Sequence, residues 1–127
     1  MINEEIQEII GKYVAAYNTF DMEGMMSLLH QDIVFRNFAN GEMNAETSGI
    51  QEFRELAERS AQIFSSRCQT VTDWLIADGN AEVQIDYEAI LAVDLPNGLK
   101  AGEKIQLKGK SVFEIFEGKI GRIEDYS

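Results

Sequence analysis

A disulfide framework is excluded at once, because the chain has a single cysteine, Cys68. Histidine is as scarce, with His30 alone, and one His and one Cys far apart in sequence give no ligand spacing; no metal and no other cofactor are expected. Basic residues are few, 11 Lys and Arg against 22 Asp and Glu, and they form no cluster able to neutralise phosphates. Nucleic acid and anionic membrane are therefore not expected as partners. The longest apolar runs, such as Ala89-Ile90-Leu91-Ala92-Val93, fall far short of the roughly 20 residues that span a bilayer. Met1-Ile2-Asn3-Glu4-Glu5 has neither the basic start nor the apolar core of a signal peptide, so the reducing cytoplasm is the expected compartment.

What is present is enough for one core. A chain of 127 residues, 45% of them hydrophobic, fits one domain over residues 1–127 and is too short for two. The formal charge of -11 comes from scattered acids and describes a solubilised surface, not an acidic tail. No internal repeat, linker or low-complexity segment interrupts it.

The first half has helical periodicity and the second half has strand periodicity, the segregated order of an α+β domain with helices on one face of an antiparallel sheet. Ile6, Ile9, Ile10, Tyr13, Val14 and Tyr17 recur at three- and four-residue steps and predict a helix over residues 3–19 with both phenols on its inner stripe. Asp21 is the expected N-cap of a short second helix through Leu29, with Met22, Met25, Met26 and Leu29 facing inward and His30 at its C-terminal end. Ile33-Val34-Phe35-Arg36-Asn37 predicts a short strand, followed by an Asn40-Gly41 loop that carries Glu42 and Glu46. Ser48-Gly49-Ile50-Gln51 fits a capping box, and Ile50, Phe53, Leu56, Ala57, Ile63 and Phe64 predict a third helix ending near Ser66. From Gln69 the period is two. Val83, Ile85, Tyr87, Ala89, Leu91 and Val93 alternate with Glu82, Gln84, Asp86 and Glu88, and Ile105, Leu107, Gly109, Ser111, Phe113 and Ile115 form another inner row. Turns are expected at Asp78-Gly79-Asn80, Pro96-Asn97-Gly98 and Glu117-Gly118, with a last strand over residues 119–126.

Three helices followed by a meander, opening with Tyr13-Val14-Ala15-Ala16-Tyr17-Asn18 and Asp21-Met22-Glu23-Gly24, resemble the nuclear transport factor 2-like superfamily. Ser27-Leu28-Leu29-His30-Gln31-Asp32-Ile33-Val34-Phe35, Gly49-Ile50-Gln51-Glu52-Phe53 and Phe116-Glu117-Gly118-Lys119-Ile120 are similar to its SnoaL-like and ketosteroid isomerase branch. The resemblance implies a cone with three N-terminal helices packed on a curved, mostly antiparallel sheet, an apolar cavity inside, and a homodimer. In ketosteroid isomerases a tyrosine of the first helix donates to the substrate carbonyl oxygen, a carboxylate after the first strand moves the proton, and a protonated aspartate completes the oxyanion hole. Tyr13 matches that tyrosine. Asn37 stands where the proton-moving carboxylate belongs, and Ser111 where the second one does. An amide cannot serve as the base, so the standard isomerase chemistry is disfavoured.

Asp125 is the candidate substitute, since it shares strand parity with Ile123 and can face the cavity beside Ser111; facing solvent is the alternative and is less costly for a carboxylate. Glu42 and Glu46 are the other acids near enough in sequence. Tyr13, Asn37 and Asp125 are thus the candidate catalytic groups, with Tyr17, Phe35, Phe53, Trp74, Tyr87, Ser111 and Phe113 as further candidates to line a ligand cavity. Each has a plainer reading: core tyrosines with satisfied hydroxyls, a turn asparagine, a tryptophan in core or interface. Lys100, Lys104, Lys108 and Lys110 read as protection of an edge strand. Three functions remain open: binding of a small, largely apolar carbonyl compound, an isomerase, cyclase or hydratase with a non-standard acid/base set, and a module whose sheet binds a protein.

Overall fold

The computed structural model describes residues 2–127. Helix α1 (Asn3–Asn18) lays Ile6, Ile10, Tyr13, Val14 and Ala16 into the core, as the three- and four-residue spacing requires. Helix α2 (Met22–Ser27) begins at Asp21, whose carboxylate accepts the Gly24 N–H at 2.9 Å. Asp21→Ala should lower stability by about 1 kcal/mol, measurable as a fall in the urea midpoint. The helix is shorter than expected, and His30 does not close it. His30 lies in strand β1 (Leu29–Ala39), edge-on to Phe116 with ring centroids 5.0 Å apart.

Strand β2 (Glu42–Ser48) replaces the expected loop, so Glu42 and Glu46 are strand residues, and Glu46 accepts from Arg36 Nε at 2.6 Å. Helix α3 (Ile50–Ala61) is capped by Gly49 at a φ of 88°, a backbone that glycine adopts readily. The expected Ser48–Gln51 box does not form: Gly49 is the N-cap and has no side chain to offer, and Glu52 accepts the Ser48 N–H instead. α3 also ends before Ser66, because Phe64 already pairs with Leu91 in the sheet, and tertiary pairing overrides the helical pattern there.

Strands β3 (Phe64–Ala77), β4 (Asn80–Leu91), β5 (Lys104–Phe116) and β6 (Lys119–Tyr126) form an antiparallel meander. β1 joins β6 in parallel, giving the order β2-β1-β6-β5-β4-β3. The three helices pack on one face of this curved six-stranded sheet, and the core lies between them. β4 stops at Leu91, so Val93 falls outside the alternation and is exposed. β5 is an interior strand, which corrects the edge-protection reading of its lysines. Lys104, Lys108 and Lys110 pair across the sheet with Glu88, Asp86 and Glu82 on β4. Along β4 and β5 that outer face carries a lattice of ion pairs.

Candidate functional site

Strand register builds the site. Asn37 on β1 and Ser111 on β5 are the Cα partners of Asp125 on β6, so all three lie in one row across the sheet. Neighbours in register share a face, and Asp125 turns inward and not to solvent. The close passage of β5 against β6 sets this geometry: a Cβ at Gly109 would collide with the Tyr126 carbonyl oxygen. Only glycine leaves room there for the end of β6 that carries Asp125.

The inner cavity, about 110 Å³, lies between helices α1 to α3 and the sheet. Tyr13, Tyr17, Phe35, Phe53, Ser111, Phe113 and Asp125 line it, seven of the residues expected from the sequence. Phe35 and Phe53 meet edge-on at 5.4 Å, and Tyr13 meets Phe113 in the same way at 6.1 Å. An outer chamber of about 170 Å³ shares Tyr17, Gln69, Ser111 and Asp125 with the inner one, which puts the carboxyl at the junction of the two.

Asn37 and Tyr87 line the outer chamber and not the inner. Asn37 Nδ2 donates to Asn44 Oδ1 at 2.8 Å, which turns its amide towards β2. Trp74 lines neither chamber. It pairs with Val83 in the same transverse row, but it stands three strands from Asp125, about 14 Å at ordinary strand spacing, and packs against the core. Among the described residues no group of His, Cys, Asp and Glu is arranged to hold a metal ion.

The Ser111 hydroxyl donates to Asp125 Oδ1 at 2.6 Å. Burial pushes the Asp125 carboxyl up to about 6, and the serine hydrogen bond only partly opposes it. Such a group is largely ionised at neutral pH and about half protonated one unit below. Burial also lifts the Tyr13 phenol well above its ordinary value, with the Asp125 charge adding to the effect, so Tyr13 stays a proton donor. The Tyr17 hydroxyl is engaged with that of Tyr87 at 3.0 Å, whereas no side-chain partner engages Tyr13 among the described residues.

Sequence reasoning passed over Arg67. It lies on β3, is buried, and lines the inner cavity. Its Nε donates to the Tyr17 carbonyl at 2.9 Å, and its guanidinium carbon stands 3.7 Å from the centre of the Tyr17 ring. Asn18 fixes this corner by exchanging two hydrogen bonds with the Gln69 backbone, at 3.0 and 2.7 Å. Arginine on an alternating strand reads as solvent-facing; the one available signal was its parity with Gln69 and Val71, which face inward.

The architecture recurs in solved structures. A proposed polyketide cyclase from Xanthomonas campestris superposes with a TM-score of 0.79 at 17% identity, over 98% of this chain and 90% of that one. A second proposed polyketide cyclase, from Pseudomonas putida, gives 0.74 at 22% identity, over 94% and 89%. A Catenulispora acidiphila protein of ketosteroid isomerase-like fold, solved with trimethylamine, gives 0.78 at 16% identity, over 94% and 85%. These identities speak for the fold alone. No curated protein matches the sequence. The profile of the SnoaL-like domain, however, matches residues 10–123, nearly the full length, and the chain belongs to that family within the nuclear transport factor 2-like superfamily.

Proposed function

We propose that this protein binds a small, largely apolar carbonyl compound in the two-chambered cavity and moves a proton at the carbon beside the carbonyl. One observation carries the reading: a half-protonatable carboxyl, Asp125, stands in the same apolar cavity as the unengaged hydroxyl of Tyr13. Ionised Asp125 takes the proton from carbon as general base. Negative charge then develops on the carbonyl oxygen, where the Tyr13 hydroxyl donates to it. Reprotonation at another carbon gives an isomerase, and attack of the enolate on a second carbonyl gives a cyclase. The cyclase descriptions of two structural neighbours are compatible with the latter, which begins with the same abstraction.

A homodimer in the cytoplasm completes the proposal. Its support is the resemblance, together with Leu75, 64% exposed, and the exposed Ile90 on the outer sheet face. Among the described residues no helix is long and apolar enough to cross a membrane.

Thermal unfolding against steroids, polyketide-like aromatics, cyclic enones and short terpenoids tests the binding step. A ligand at one hundred times its dissociation constant adds about 2.7 kcal/mol, a rise of several degrees for a domain of this size. Tyr13→Phe should diminish that rise by removing the hydrogen bond. A midpoint unmoved by every class of compound, or a rise indifferent to Tyr13→Phe, counts against the reading.

A further inference from the structure

Arg67 is 5% exposed, and its Nη2 is buried with no hydrogen-bond partner among the described residues. Scarcity of acids does not explain this, since the chain has 22 of them against 11 basic residues. Arg36, Arg54 and Arg122 each hold a carboxylate within 3.2 Å. Arg67 alone among the buried residues is a cation, and among the described residues it has no carboxylate at ion-pair distance. Its Nε donates to the Tyr17 carbonyl and the Tyr17 hydroxyl adds a contact to the guanidinium, which leaves Nη2 at the terminal end without a partner among the described residues.

The fold nevertheless holds this side chain firmly. Its guanidinium carbon lies against the Tyr17 ring and 4.4 Å from the centre of the Phe20 ring. Phe20 takes a φ of 57°, an uncommon backbone for an aromatic residue, to reach it. Ring faces attract a cation but do not satisfy its N–H donors. A buried, incompletely compensated charge destabilises a fold, and an anion arriving in the cavity relieves it.

We infer that the ligand is an organic acid whose carboxylate pairs with the free end of Arg67, while its carbonyl and adjacent carbon lie towards Tyr13 and Asp125. The inference rests on the proposed use of this cavity as the ligand site and narrows it to small oxo-acids. A guanidinium end presents two parallel N–H donors that match the two oxygens of a carboxylate. Asp125 lines the same cavity without pairing with Arg67, so base and cation are available to different parts of one molecule.

Phenylpyruvate and phenylacetone form a matched pair of probes: the first has a carboxylate where the second has a methyl group, and both have acidic C–H bonds beside a ketone. Calorimetric titration of the intact protein should show phenylpyruvate binding at least about tenfold tighter than phenylacetone, the worth of a charge-assisted pair. Arg67→Met should bring the two affinities within about twofold of each other, and Arg67→Lys should keep part of the preference. Should the methionine variant not fold, the lysine variant and Arg67→Gln carry the same comparison. Equal binding of the two probes to the wild type, or a preference that survives loss of the charge, overturns the inference and leaves the ketone site standing. If neither probe binds, the ligand-site reading falls with it.

Discussion

Asp125→Asn is expected to lower proton transfer by about two to four orders of magnitude and, at the same time, to stabilise the fold above pH 6. Both effects have one cause. Burial raises the carboxyl pKa on folding, from the ordinary carboxylate range to about 6. Below about pH 4 the group is protonated in both folded and unfolded chains and costs nothing. Between about pH 4 and 6 the unfolded chain releases its proton while the folded chain keeps it, so stability falls as pH rises. Above pH 6 the loss is complete, about 3 kcal/mol for a shift of roughly two units. The asparagine variant cannot titrate and still offers Ser111 an acceptor. Urea unfolding at pH 4.5 and pH 8 should therefore show its advantage over the wild type growing with pH, and a gap that is constant or reversed would refute the burial of a titrating carboxyl. Stability gained as activity is lost is the usual signature of a group kept for chemistry.

Phe113→Ala should be the most damaging single truncation in the cavity wall. The ring is 2% exposed, packs edge-on to Tyr13 and belongs to the core that joins α1 to the sheet. Its removal should cost about 3–5 kcal/mol, a fall in the melting midpoint of roughly ten degrees or more. Phe113→Leu keeps most of the packing and widens the inner chamber, so larger ligands should gain affinity relative to smaller ones. A loss under about 1 kcal/mol on truncation to alanine would mean that this wall collapses to fill the space and that the cavity is not rigidly framed.

These two residues also illustrate what a single chain discloses. The stripe from Ile6 to Tyr17 and the alternation from Val83 to Leu91 are strong because burial imposes one period on many side chains. β2 was invisible because only Thr47 of its seven residues is buried, and a polar edge strand has no apolar period to read. Parity allowed Asp125 to face inward but could not choose between the two faces; its register beside Ser111 does. Trp74 shows the limit in the other direction, since parity along a strand says which face a side chain takes and nothing of how many strands lie between it and the site. Arg67 escaped because a charge on a strand reads as exposed, and its burial depends on Tyr17 and Phe20 arriving from a different element.

The most direct test is hydrogen–deuterium exchange at the carbon beside the ketone of phenylacetone in heavy water, followed by NMR at several pH values. Exchange above the buffer rate should rise with pH through an apparent pKa near 6 and vanish in Asp125→Asn, as expected if this carboxylate takes the proton. Exchange no faster than in buffer, or equally fast in the variant, would contradict it.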